Sequence, residues 1–172
     1  NGTSGHAMDW DDTQLAEGRG RPYGLLMHPT VPPLASALAV SDLVASERGR
    51  PLDGREFLTA FNAGFEVGCK IAEAINPDHY MRGFHTSGTI GTFAAAATSA
   101  KLFGLDETRT TQAIGIAASM ASGIRANFGT MTKPLHVGRA AENGVTAALL
   151  AREGFSADAE ALDRRWGYLA VA

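Results

Sequence analysis

The sequence predicts an all-α fold, a multi-helix bundle. Long segments place apolar side chains at steps of three and four, which is the helical period. No segment shows the sustained apolar–polar alternation of a half-buried strand. Alanine, glycine and serine crowd the same segments, and small faces let helices approach closely.

Residues 1–31 read as loop, because Gly, Pro, Asp and Thr dominate and no period persists. A first helix is expected over about residues 32–48, with prolines at its start and Gly49 just past its end. "DGREFLTAFNAGFEVGCKIAEAI" predicts a longer helix, in which Phe57, Leu58, Phe61, Phe65 and Ile71 recur at roughly helical spacing. "NPDHYMRGFH" reads as turn and loop. "GTIGTFAAAATSAKLFG" predicts a third helix, closed by Gly104. "DETRTTQAIGIAASMASGI" predicts a fourth, N-capped by Asp106. The third and fourth have faces too small to stand alone in water, so both are expected at the centre. "KPLHVGRAAENGVTAALLAREG" predicts a fifth, with Pro134 in its first turn and Gly154 at its end. A short helix is expected to follow from Ala157.

With 172 residues and 45% hydrophobic content, the chain is long and apolar enough for one domain with a real core. A net charge of −3 gives no basic footprint for nucleic acid, and "RGRPY" at 19–23 is too short to supply one. No apolar run reaches membrane-spanning length. The single cysteine, Cys69, excludes an internal disulfide and fits a reducing compartment, the cytoplasm. Core packing accounts for Cys69 itself. The chain opens "NGTSGHAMDWDD" without an initiator methionine and closes on the apolar "RRWGYLAVA". It is therefore expected to be an internal piece of a longer polypeptide.

Three places share one layout. His28 precedes the helix expected near Pro32, His85 precedes the one near Gly88, and Lys133 precedes the one at Pro134. Helix N-termini carry partial positive charge and free N–H groups, so they favour anions. A lysine or protonated histidine there is disfavoured unless an anion is shared. The same dipole favours a neutral imidazole, the form that a general base needs. The layout points to an anionic substrate, with Ser87 and Gly88 at the open helix start. Against it stands the ordinary turn histidine, satisfied by its neighbours.

Asp9, Asp11, Asp12 and Thr13 lie close together near His6. Such carboxylates can be acid–base groups, metal ligands or hydrogen-bond anchors, or simply an Asp-rich turn. No second cluster has metal-ligand spacing and the calcium-loop pattern is absent, so no metal site is expected. His136, Arg139 and Asn143 fall at steps of three and four on one helical face. They could orient a substrate, or form a polar stripe at a helix contact. The chain has no phosphate loop, dinucleotide fingerprint or nucleophile elbow, so no redox cofactor is expected from it.

Four stretches, "NGTSGHAMDWDDT", the "HP" step at 28–29, "RGFHTSGTIGTFAAAATSAKLFGLD" and "MTKPLHVGRAAENGVTAALLAREGF", resemble the MmgE/PrpD family. The resemblance runs over nearly the whole chain. It implies the large helical domain of a homodimer whose smaller lid domain lies elsewhere. It also implies action on di- and tricarboxylates, by dehydration, decarboxylation or epimerisation, without a metal or organic cofactor. By motif it places Asp9, Thr13, His28, His85 and Lys133 in the active site. A lysine and a tyrosine that other members supply fall outside this region. One departure is the stretch "QLAEGRGRPYGLLM" at 14–27, inserted ahead of the "HP" step and expected to alter substrate choice.

Residues and resemblance together predict a cofactor-independent lyase, most simply a dehydratase of a 2-methylcitrate-like acid, as in propionate metabolism. His85 and His28 would handle protons. Lys133, with His136, Arg139, Ser87 and Gly88, would hold carboxylates, and Asp9 and Thr13 would orient substrate or a histidine. Decarboxylation or epimerisation of a related acid is the alternative within the class. The alternative of another class is a non-catalytic helical assembly module. The isolated segment is expected to be inactive.

Overall fold

The computed structural model describes residues 1–15 and 25–172. The helices in chain order are α1 (Gly2–Ala7), α2 (Val31–Arg48), α3 (Gly54–Ile75), α4 (Asp78–Met81), α5 (Thr86–Phe103), α6 (Glu107–Met120), α7 (Thr132–Arg152) and α8 (Tyr168–Val171). A short 3-10 turn, Arg125–Asn127, lies between α6 and α7. Two small strands, β1 (Gln14–Leu15) and β2 (Leu25–Met27), pair antiparallel with a bulge between Gln14 and Leu15. The all-α prediction holds.

Local chemistry sets the helix ends. Asp53 and Glu56 form a reciprocal capping box at the start of α3. Asp106 accepts from the Arg109 N–H at the start of α6. Gly49 and Gly104 end α2 and α5 at φ of 65° and 69°, a left-handed turn that glycine adopts without strain.

α5 is the central element and packs against α2, α3, α6 and α7. Every residue from Thr86 to Ala100 is buried. Three of its polar side chains are accommodated by bonding back to their own helix. Thr92 donates to the Gly88 carbonyl, Thr98 to Ala94 and Ser99 to Ala95. α3 lays Ala60, Gly64, Gly68 and Ala72 along its buried side, where Gly64 faces Thr98 and Gly68 faces Ala94 of α5. α7 brings Gly144 against Ala95 and Ala96. The larger core side chains, Ile71, Ile90, Phe93 and Ile116, gather on one side of this seam.

Several expectations are corrected. The segment read as loop over 1–31 contains α1 and the two strands. Of the inserted 14–27 stretch, the ends form the strand pair, while 16–24 and its "RGRPY" portion lie outside the described residues. α6 stops at Met120 rather than Ile124, because Ala121 is extended, Gly123 has φ +135° and Ile124 bridges to Phe84. α6 buries only Ala113, Gly115, Ile116 and Ala117, so it flanks the bundle instead of sharing its centre. Residues from Ala157 form turns, and the only helix beyond them is the four-residue α8. The 76–85 loop includes α4. Among the described residues, no helix is long and apolar enough to cross a membrane.

Candidate active site

His85 is the N-cap of α5, and no side chain caps that helix. The N–H of His85 donates to the Gly123 carbonyl at 3.0 Å, and Phe84 bridges to Ile124. The α6–α7 connection therefore fixes the backbone of His85. Its ring Nδ1 lies 3.0 Å from Nδ1 of His136, and its ring sits edge-on to Phe128 at 4.9 Å. In the same cluster, Lys133 Nζ is 5.4 Å from the centre of the Phe128 ring.

His28 arrives from the strand β2. Its N–H donates to Ser87 Oγ at 2.9 Å, which ties it to the first turn of α5. Its Nδ1 lies 2.5 Å from the Asp12 carbonyl oxygen. A carbonyl can only accept, so Nδ1 of His28 carries a proton, and in the neutral ring Nε2 presents the lone pair. The Asp12 carboxylate accepts from the Thr30 N–H at 3.0 Å and from its hydroxyl at 2.6 Å. Asp12 thereby holds the approach to α2 from both its main chain and its side chain.

His6, at the end of α1, completes the cluster. Its ring centre lies 5.3 Å from that of His28 and 5.4 Å from that of His85, and its Nδ1 is 2.5 Å from Asp9 Oδ2. Four of the five histidines thus meet at one place. The fifth, His79, is buried elsewhere between Thr89 and the Ala172 carbonyl and stacked on Phe84.

Electrostatics follow from burial. Desolvation pushes the His85 ring down to about 3, and the His6, His136, Lys133 and His28 groups push the same way. Burial also lowers His136. For His6, burial outweighs the upward pull of Asp9, with Lys133 and His28 adding to the lowering. These rings are therefore neutral at neutral pH, and Lys133 stands among them as the cationic side chain. Nε2 of His6 and Nε2 of His85 are buried without a hydrogen-bond partner. Among the described residues, no group of His, Cys, Asp or Glu side chains is arranged to hold a metal ion.

The sequence-predicted residues divide by position. His85, His28, Lys133, His136 and Ser87 come together. Gly88 makes room for them, since a Cβ there would lie 2.8 Å from His136 Cβ and 3.1 Å from the Ser122 carbonyl. Asp9 reaches the cluster through His6. Thr13 is exposed at the edge of the strand pair. Arg139 is exposed and pairs with Glu142 at 2.6 Å, while Asn143 turns inward to the Met120 carbonyl. Lys133 lies inside the first turn of α7 rather than ahead of it. Sequence reasoning passed over Asp12 as the anchor of His28, and over His6 as a cluster member. Its one signal for His6 was the i, i+3 spacing to Asp9.

The MmgE/PrpD N-terminal domain matches residues 1–172, the whole chain. This chain belongs to the MmgE/PrpD family. Its relatives include the human cis-aconitate decarboxylase, 34% identical over 171 residues, which are 98% of this chain and 33% of that protein. The cis-aconitate decarboxylase of Aspergillus terreus is 35% identical over 136 residues, 78% of this chain and 28% of that protein. A cis-aconitate decarboxylase-like protein of Aspergillus oryzae is 39% identical over 118 residues, 67% of this chain and 24% of that protein. The chain spans a third or less of the length of these relatives. The MmgE/PrpD family is thus one of carboxylate-acting enzymes of the lyase type. An array of neutral imidazoles beside one ammonium and two helix starts, those of α5 and α7, without side-chain caps suits such chemistry.

Proposed function

We propose that this chain is the helical part of a cofactor-independent lyase that acts on a di- or tricarboxylate by proton transfer next to a carboxylate. The observation that carries the reading is the convergence of His6, His28, His85 and His136 on Lys133 and the uncapped start of α5. Lys133 and the helix N–H groups hold substrate carboxylates and the charge that develops on the substrate. His28 offers Nε2 as a proton acceptor. His85, held neutral, stands beside it. Asp9 and Thr13 orient the histidines or the substrate.

Two reactions fit. Decarboxylation of an unsaturated tricarboxylate draws support from the names of the relatives. In it the C–C bond breaks, its electron pair stays on carbon, carbon dioxide leaves and the carbon takes a proton. Dehydration of a 2-methylcitrate-like acid draws support from His28, whose lone pair suits removal of a C–H proton. Homodimer formation and a cytoplasmic setting belong to the same reading.

The test uses the full-length protein with citrate, 2-methylcitrate and cis-aconitate in deuterated water, followed by proton NMR. A new alkene or deuterium next to a carboxylate is the expected result. His85→Ala and Lys133→Ala should each lower turnover by about 10²-fold or more, the usual contribution of a placed acid–base or charge-stabilising group. Turnover unchanged in both variants would favour the assembly module.

A further inference from the structure

The His6–Asp9 pair is assigned no proton transfer above, where Asp9 only orients its neighbours. It is built at the closed side of the cluster: the His6 side chain is wholly buried and the Asp9 side chain is 8% exposed. An ionised carboxylate only accepts, so His6 donates Nδ1–H to Asp9 and turns an Nε2 lone pair toward its neighbours. That Nε2 is buried and has no partner. Nε2 of His85, on a residue only 3% exposed, is likewise without one. A buried acceptor without a donor is costly, and a proton bound there offsets that cost only if an anion arrives to receive the new N–H and balance its charge.

We propose that the His6–Asp9 pair takes up a proton when a polycarboxylate binds, so that His6 and Asp9 act as positioning residues that set the charge of the cluster. The inference rests on the polycarboxylate reading above. The charges that face His6 come from every element around it. The titratable and charged groups are Asp9 beyond the end of its own helix, His28 from the approach to α2 with Asp12 bonded behind it, His85 from α5 with His136 bonded behind it, and Lys133 from α7. Of these, the Asp12 carboxylate is committed to Thr30. Burial, Lys133 and His28 together hold His6 neutral against Asp9. An anion on Lys133 cancels the repulsion from that ammonium. His6 is the ring of the cluster with a carboxylate already at hydrogen-bond distance, so the proton settles there.

The experiment is titration calorimetry of the full-length protein with propane-1,2,3-tricarboxylate, a saturated acid with no hydroxyl to eliminate. It is run at pH 7.5 in buffers of low and high ionisation enthalpy. The dependence of the binding heat on the buffer counts the protons taken up. We expect about one per site, with affinity weakening by up to tenfold per pH unit as pH rises. His6→Gln and Asp9→Asn should still bind, with the uptake abolished or sharply reduced. Binding without uptake in the wild type overturns the inference and leaves the polycarboxylate reading standing. The same holds if His6→Gln retains the wild-type uptake, which would move the proton to another ring. No binding by folded wild-type protein overturns both.

Discussion

Asp12 shows how one residue can order the histidine cluster from both its main chain and its side chain. Its carbonyl fixes the His28 tautomer and its carboxylate takes both the N–H and the hydroxyl of Thr30. Asp12→Ala leaves those donors unsatisfied at the start of α2 and should cost about 1–2 kcal/mol, as loss of an N-terminal cap does. It also frees the loop that carries His28, so turnover of the full-length protein should fall about tenfold or more, as expected when a placed base is misaligned. A thermal melt and kcat measured together check both; an unchanged kcat would detach Asp12 from His28. Gly88 sets a tighter limit. Gly88→Ala would press a methyl against His136 Cβ and the Ser122 carbonyl, displacing His136 from His85. Turnover should drop while substrate affinity changes less. Part of this cluster was legible at the residue scale. His28, His85 and Lys133 stood out because each sits near a helix start, where a cation is out of place without an anion and an imidazole is held neutral. His6 and Asp12 did not stand out. Their roles depend on α1 folding against the approach to α2, a long-range meeting that no local pattern encodes. Arg139 shows the opposite limit: helical spacing put it on the His136 face, yet its long side chain reaches Glu142 in solvent.

At the scale of the helix, end signals were the most readable feature. Asp53, Asp106, Gly49 and Gly104 mark boundaries that the structure places within a residue or two of expectation. Asp53→Ala breaks the capping box of α3 and should cost about 1 kcal/mol. The short helices α1, α4 and α8 were missed, since helices of four to six residues have no propensity of their own and exist through packing. Phase was also partly misleading. The apolar period located α3 correctly, but Leu58 faces outward at 57% exposure and the seam with α5 runs along Ala60, Gly64, Gly68 and Ala72. Hydrophobic size marks a helix. Close approach to a neighbour is instead carried by small residues. Gly144→Ala tests this at the α5–α7 contact, where a Cβ would run into Ala95 and the backbone at Ala96 and Thr92. It should destabilise by about 1–3 kcal/mol, the usual cost of overpacking, seen as a lower urea midpoint.

For the whole molecule, the buried histidines make folding depend on pH in one direction. His85 is held down at about 3, and burial also lowers His6 and His79. In the unfolded chain these rings titrate near 6.5. Above that value both states are neutral and pH has no effect through them. Below it the unfolded chain binds protons that the folded chain refuses, so stability falls as pH drops from about 6.5 toward 3, by up to ~1.4 kcal/mol per pH unit for each ring that stays neutral. The three rings surround the first turns of α5: His85 is its N-cap residue, His6 touches His85, and His79 bonds Thr89. The loss should therefore appear first in the helix that every other long helix packs against. Hydrogen exchange of peptides covering residues 84–103 in the full-length protein reads it directly. After correction for intrinsic rates, exchange there should be faster at pH 5 than at pH 7.5, with little further change between pH 7.5 and 8.5. A flat profile from pH 7.5 to 5 would mean that these rings accept protons in place, and that the closed cluster is more open to water than its burial implies.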